Sequence, residues 1–140
     1  MKESTICTSG DYLIVRNCGG LYQIPLSRVI LIKKNLRQTV IVTDGENLDK
    51  QIVCYCALRD VYHKLEDSKF LYEHQSYIIN ADHIAHLDKG QVVTDDGSVI
   101  YLGRNSYYRL LKAFKSLRNE GLNGRKNDTK NEEKNNKKKE

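Results

Sequence analysis

Val29-Ile30-Leu31-Ile32 sets four aliphatic residues in a row. A short apolar run without alternation reads as a strand buried on both faces. A chain holding such a strand must cover it from two sides. The flanking sequence supplies short extended segments for this. Tyr12-Leu13-Ile14-Val15, the turn residues Asn17-Cys18-Gly19-Gly20, and the alternating Leu21-Tyr22-Gln23-Ile24-Pro25-Leu26 predict a β-hairpin. Pro25 marks a strand end or an edge. After the aliphatic run, Lys33-Lys34-Asn35-Leu36-Arg37-Gln38 reads as a polar loop. Thr39-Val40-Ile41-Val42-Thr43 is the next strand, and Asp44-Gly45 is a turn signal. Gln51 to Cys56 is a further strand.

Helical spacing occurs twice. Leu58, Val61, Tyr62 and Leu65 fall at i, i+3, i+4 and i+7, which predicts a short central helix. Tyr107, Leu110, Leu111, Phe114 and Leu117 repeat that stripe in a C-terminal amphipathic helix, with Lys112 and Lys115 on its outer side. Between the helices, Phe70 to Gln75 and Ile84 to Leu87 are extended. Gln91-Val92-Val93-Thr94 and Ser98 to Leu102 form a hairpin around Asp95-Asp96-Gly97. The fold class is therefore mainly β. The first ten residues are polar and read as a flexible N-terminus (1–10), with the folded domain at 11–118. After Asn119 the composition turns to Lys, Asn and Glu without aromatics. Such a segment cannot bury enough apolar surface to order itself, so 119–140 is expected to be a disordered tail.

A length of 140 residues with 39% hydrophobic content suits one domain with a modest core. The formal charge is +5. The tail holds 7 Lys/Arg and 5 Asp/Glu, which leaves 16 and 13, a net of +3, for the first 118 residues. That excess is compatible with a nucleic-acid partner but does not single one out. Cys7, Cys18, Cys54 and Cys56 lack zinc spacing. Cys54 and Cys56 read as two small buried or edge residues in a reducing cytosol, with a redox pair as the alternative. No signal peptide and no run of about 20 apolar residues is present, so a cytoplasmic location is expected. Enzyme chemistry is not expected. His74, Ser76 and Asp82 or Asp88 match no hydrolase pattern, and there is no Gly-rich phosphate loop. His83-x-x-His86 stands alone, and neither metal nor cofactor is expected.

Three segments carry groups that duplex DNA recognition uses: the 33–38 loop, His74-Gln75-Ser76, and Arg104-Asn105. Arg reaches guanine O6 and N7, and Gln pairs with adenine N6 and N7. Lys, Ser and backbone amides hold phosphates and set register. Arg104 precedes a helix N-terminus, where free N–H groups favour a phosphate.

The stretch Phe70-Leu71-Tyr72-Glu73-His74-Gln75-Ser76-Tyr77-Ile78-Ile79-Asn80, followed by Leu102-Gly103-Arg104-Asn105, resembles the LytTR family of bacterial DNA-binding domains. The resemblance covers roughly Tyr12 to Leu117. It implies an elongated stack of small antiparallel β-sheets and a transcription regulator of double-stranded promoter DNA. Such a regulator would set loops into successive major grooves and bend the duplex. It also implies that Arg104, Gln75 and either Arg37 or Gln38 contact bases, while His74, Ser76 and Asn105 contact the backbone. Lys33 and Lys34 are expected to set overall affinity through phosphates. Several positions depart from the family pattern. Tyr72 stands where Arg is common, and Gly103 replaces a frequent Ser. Gln75 replaces Arg, Lys or Asn and shifts base preference toward adenine. Glu73 stands where an apolar residue is usual and would repel phosphate unless it turns inward or pairs. The β-pattern begins at Tyr12, so a stand-alone regulator without a receiver domain is expected. Its control would fall to a partner protein, in some cases membrane-bound, to its own abundance or to dimerisation, and the resemblance implies a homodimer on paired direct repeats. The competing expectation is a protein-interaction module on the same fold without DNA affinity.

Overall fold

The computed structural model describes residues 4–65 and 67–121. The chain begins with β1 (Thr5–Ser9), β2 (Tyr12–Asn17) and β3 (Gly20–Pro25). Next come β4 (Val29–Asn35), β5 (Gln38–Thr43), β6 (Gln51–Cys54), α1 (Leu58–Lys64), β7 (Phe70–His74) and β8 (Tyr77–Asn80). It finishes with β9 (Ile84–Asp88), β10 (Gln91–Thr94), β11 (Val99–Tyr101) and α2 (Arg104–Gly121). The strands form three antiparallel sheets in the orders β1-β2-β3, β6-β5-β4-β8-β7 and β11-β10-β9. The mainly-β expectation holds.

The aliphatic run lies in β4, the middle strand of the five-stranded sheet, and both of its faces are covered. Val29 and Ile32 join one core cluster with Ile6, Leu13, Val15 and Ile24 of the first sheet and Leu58 and Val61 of α1. Ile30 and Leu31 join a second cluster with Val92, Ile100, Tyr107 and Leu110 of the third sheet and α2. Strict alternation would have put Val29 with Leu31. A register shift between Val29 and Leu31 breaks it, as a β-bulge does, and turns Ile32 back toward the first sheet. The central sheet is thus the middle layer of three.

Four expectations change. The flexible N-terminus is partly a strand. Thr5 to Ser9 pair with β2, and Ile6 is buried at 2% exposure. A single apolar residue carried that strand, so its hydrophobic signal was weak. The polar loop at 33–38 is mostly strand: Lys33, Lys34 and Asn35 continue β4, Gln38 opens β5, and only Leu36-Arg37 lie between them. Ladder hydrogen bonds carry both strands past the end of the apolar core. The strand that begins at Gln51 stops at Cys54. Helix α2 runs through Gly121, so the expected tail begins inside a helix. The remainder of that tail lies outside the described residues. Among the described residues no helix is long and apolar enough to cross a membrane.

Candidate nucleic-acid interface

Strand pairing brings the three candidate segments to one end of the central sheet. Asn35 pairs with Gln38, so Leu36-Arg37 form a tight turn at the end of β4 and β5. His74 pairs with Tyr77, so Gln75-Ser76 form the turn between β7 and β8. β4 pairs with β8 with Lys33 opposite Tyr77, which sets the two turns side by side. They are also bonded to each other: the Lys34 backbone N–H donates to the Ser76 carbonyl at 3.0 Å. Helix α2 runs antiparallel to β7. Arg109 meets Glu73 near the turn, and Arg118 meets Asp82 at the far end. Arg104 begins α2 five residues before Arg109, about 7.5 Å further toward the turns at 1.5 Å per residue.

The side chains at this end differ in their freedom. Arg37, Gln75, Arg104 and Asn105 are exposed, as is Lys34. Lys33 is half-buried and points to the opposite face from Lys34, since side chains alternate along a strand. Gln38 is half-buried, and its amide donates to the Tyr55 hydroxyl at 2.9 Å. Of the two alternatives on this hairpin, Arg37 therefore presents its head group outward and Gln38 braces the strand. His74 accepts a hydrogen bond from the Ser76 backbone N–H at its Nδ1, 3.1 Å away, and its ring lies 5.6 Å from that of Tyr77. In the neutral ring this leaves the proton on Nε2. Ser76 is half-buried and fixed through its backbone at both atoms.

Glu73 does not point its charge at the turns. Its carboxylate lies 3.9 Å from the Arg109 guanidinium, and its carbonyl accepts from Arg109 at 3.2 Å. Tyr72 packs its ring 4.9 Å from that of Tyr62 on α1, so it serves the core. Asn80 is fully buried. Its amide donates to the Val29 carbonyl at 2.8 Å and to the Leu26 carbonyl at 3.4 Å, and its oxygen accepts from the Asp82 N–H at 3.0 Å. It caps the turn after β8 and ties β8 to the start of β4.

One further cation belongs to this end. Lys89 and Gly90 form the β9–β10 turn, and Lys89 lines a cleft of about 270 Å³ with Arg104, Tyr107 and Tyr108. Reading the sequence missed it, although Asp88-Lys89-Gly90-Gln91 between two extended runs is a hairpin signal. Among the described residues, none of Lys33, Lys34, Arg37, Lys89 or Arg104 lies in an ion pair, whereas Arg28, Lys50, Lys69, Arg109 and Arg118 each do. The first turn of α2 holds no acidic residue, so the positive end of its dipole is uncompensated.

Cys54 and Cys56 both pack on the first core cluster. Burial, reinforced by the neighbouring Cys56, pushes the Cys54 thiol up to about 12, so it is protonated near neutral pH and a poor nucleophile. No group of three or more His, Cys, Asp or Glu among the described residues is placed to hold a metal ion.

No curated protein matches the chain closely enough to count as a relative. Among solved structures, the LytTr DNA-binding domain of a putative methyl-accepting/DNA response regulator from Bacillus cereus shares the fold, with a TM-score of 0.57 at 18% identity. That match covers 82% of this chain and 98% of the other. Residues 19–115 match the family described as the LytTr DNA-binding domain. They take in both turns, the β9–β10 turn and most of α2, so the end of the sheet that carries Lys34, Arg37, Lys89 and Arg104 lies within the matched region. On this match the chain belongs to the LytTR family of DNA-binding domains.

Proposed function

We propose that this chain is a transcription regulator that reads duplex DNA by sequence, sets the turns at one end of its central sheet into successive major grooves, and bends promoter DNA. The observation that carries this reading is the convergence of the β4–β5 turn, the β7–β8 turn and the N-terminus of α2, with Arg37 and Arg104 at its two sides outside the ion pairs of the described residues. Arg37 at one edge and Arg104 at the other would address guanine, and Gln75 between them would address adenine. Lys33, Lys34, Lys89, Ser76, Asn105 and the His74 Nε2–H would hold phosphates, together with the free N–H groups of α2. Two copies on direct repeats would extend the site. Partner proteins would act on that assembly.

The test is fluorescence anisotropy with duplexes tiling the DNA upstream of the chain's own gene, at two salt concentrations. One duplex should bind preferentially, and more weakly at high salt. Arg104→Ala should remove about 1–3 kcal/mol of that preference. Lys34→Ala should weaken all duplexes alike and lower the salt slope by about 1. Equal binding to every duplex, unchanged by Arg104→Ala, would reduce the interaction to nonspecific phosphate attraction. No binding at all, with a protein that co-purifies, would favour an interaction module.

A further inference from the structure

Leu36 is the most exposed large apolar side chain among the described residues, at 87%. Its backbone is held at φ +59, in the left-handed region. An L residue there brings its Cβ against the following carbonyl at a cost of about 1–2 kcal/mol. The position is the first of a two-residue hairpin loop, where a positive φ calls for Gly. At the equivalent place in two other two-residue loops the chain uses Gly once and Lys once, with Lys89 at φ +48. Gly10 is first in the two-residue loop between β1 and β2 and sits at φ +61. The turn at 36 therefore carries a residue that its geometry disfavours and water does not welcome. Neither turn formation nor core packing accounts for it.

The surroundings point to what it would touch. Leu36 stands between Lys34 and Arg37, both exposed and outside any ion pair among the described residues. It borders a shallow concavity of about 490 Å³ lined with Asn35, Arg37, Gln38 and Tyr55. An apolar protein patch docking here would have to strip water from those cations without neutralising them. Duplex DNA supplies both needs in one surface, with phosphates for the cations and the thymine C5-methyl as an apolar group on the major-groove edge.

Resting on the DNA-binding reading above, we infer that Leu36 is a specificity-determining residue that packs on a thymine methyl and makes the β4–β5 turn selective for an A·T pair. Arg37 and Leu36 would then read neighbouring base pairs from one turn, Arg37 by hydrogen bonds and Leu36 by shape.

The test uses the duplex that the full chain prefers, with each thymine replaced in turn by deoxyuridine. That change deletes one methyl and leaves every hydrogen-bonding edge intact. At one position the replacement should weaken wild-type binding about fourfold, the effect of one buried methyl-sized group. Leu36→Asn and Leu36→Gly both tolerate positive φ, so neither threatens the fold. Both variants should bind the thymine duplex about as weakly as wild type binds the deoxyuridine duplex, and should no longer respond to the replacement. If wild type prefers one duplex but no deoxyuridine position separates it from the variants, the inference fails while DNA reading stands. If wild type prefers no duplex, DNA reading itself fails and Leu36 has no thymine to meet. A shift in self-association in Leu36→Asn with unaltered DNA binding would instead assign the leucine to a contact between copies.

Discussion

Asn80 shows how one buried side chain can tie two strands of a sheet together. It is fully buried, and its three hydrogen bonds all go to backbone atoms, at Leu26, Val29 and Asp82. Replacing it leaves buried carbonyls without donors. Asn80→Ala is expected to destabilise the fold by about 2–3 kcal/mol in urea denaturation. An unchanged midpoint would mean that water takes over those bonds. The reach of Asn80 back to β4 was not legible in the sequence, because that contact spans more than 50 positions of chain. The same limit applied to Gln38. Its type suggested base reading as readily as that of Arg37, and its hydrogen bond to Tyr55, 17 positions away, could not be read from the sequence. Glu73 is the converse case. Its charge looked unfavourable beside DNA until Arg109, 36 positions away, was placed against it.

At the scale of elements, the third sheet is anchored by polar groups at the end away from the turns. His83 presents Nδ1 to the Asp95 carboxylate at 2.9 Å and Nε2 to the Ser27 carbonyl at 2.6 Å. Both ring nitrogens face acceptors, so the arrangement calls for the doubly protonated imidazolium. Burial works against that charge, but the Ser27 and Asp95 bonds outweigh it and raise the pKa above 6.5. Asp44, Asp82 and Arg28 stand nearby. For Asp96, burial pushes the carboxyl up, but bonds from Thr94, Ser98 and Lys50 prevail and bring it down to about 2. The signs follow. The His83 contribution is complete below about 6.5 and fades as pH climbs through its raised value. The Asp96 contribution, about 2 kcal/mol, is complete above about 4 and fades as pH falls toward 2. Denaturation at about pH 2, 5 and 9 should show highest stability at the middle value. His83→Gln should flatten the alkaline limb and Asp96→Asn the acid limb. Limbs unaltered by these variants would place the pH dependence elsewhere. Among the elements themselves, those with several periodic apolar residues were legible: the hairpins, both helices and β4. β1 had one buried apolar residue, Ile6, with the Gly10-Asp11 turn as its only other mark.

At the scale of the whole molecule, the two ends of the central sheet differ in how their cations are paired. At one end Arg28 pairs with Asp44, Lys50 with Asp96, His83 with Asp95, and Lys69 and Arg118 with Asp82. At the other, Lys33, Lys34, Arg37, Lys89 and Arg104 lie outside the ion pairs of the described residues, and Glu73 is turned to Arg109. Net charge alone could not reveal this, because a modest excess spread evenly and one gathered at an end give the same sum. The segments 33–38, 74–76 and 104–105 were individually legible. Their meeting was not, since it depends on β8 lying beside β4 rather than next to β6 in chain order. Asp88 also lies at the turn end. Arg16, Arg59, Lys64, Lys112 and Lys115 are likewise outside the ion pairs of the described residues, but the group of cations at the turns should orient the chain on a polyanion. Backbone-amide NMR of the chain, titrated with the duplex it binds most tightly, tests that orientation directly. Shifts should concentrate at 33–38, 74–76, 89–90 and 103–105 and leave 26–28, 44–50 and 94–98 in place. Shifts confined to that second set, or spread evenly over both ends, would contradict a DNA interface built from the turns and the α2 N-terminus.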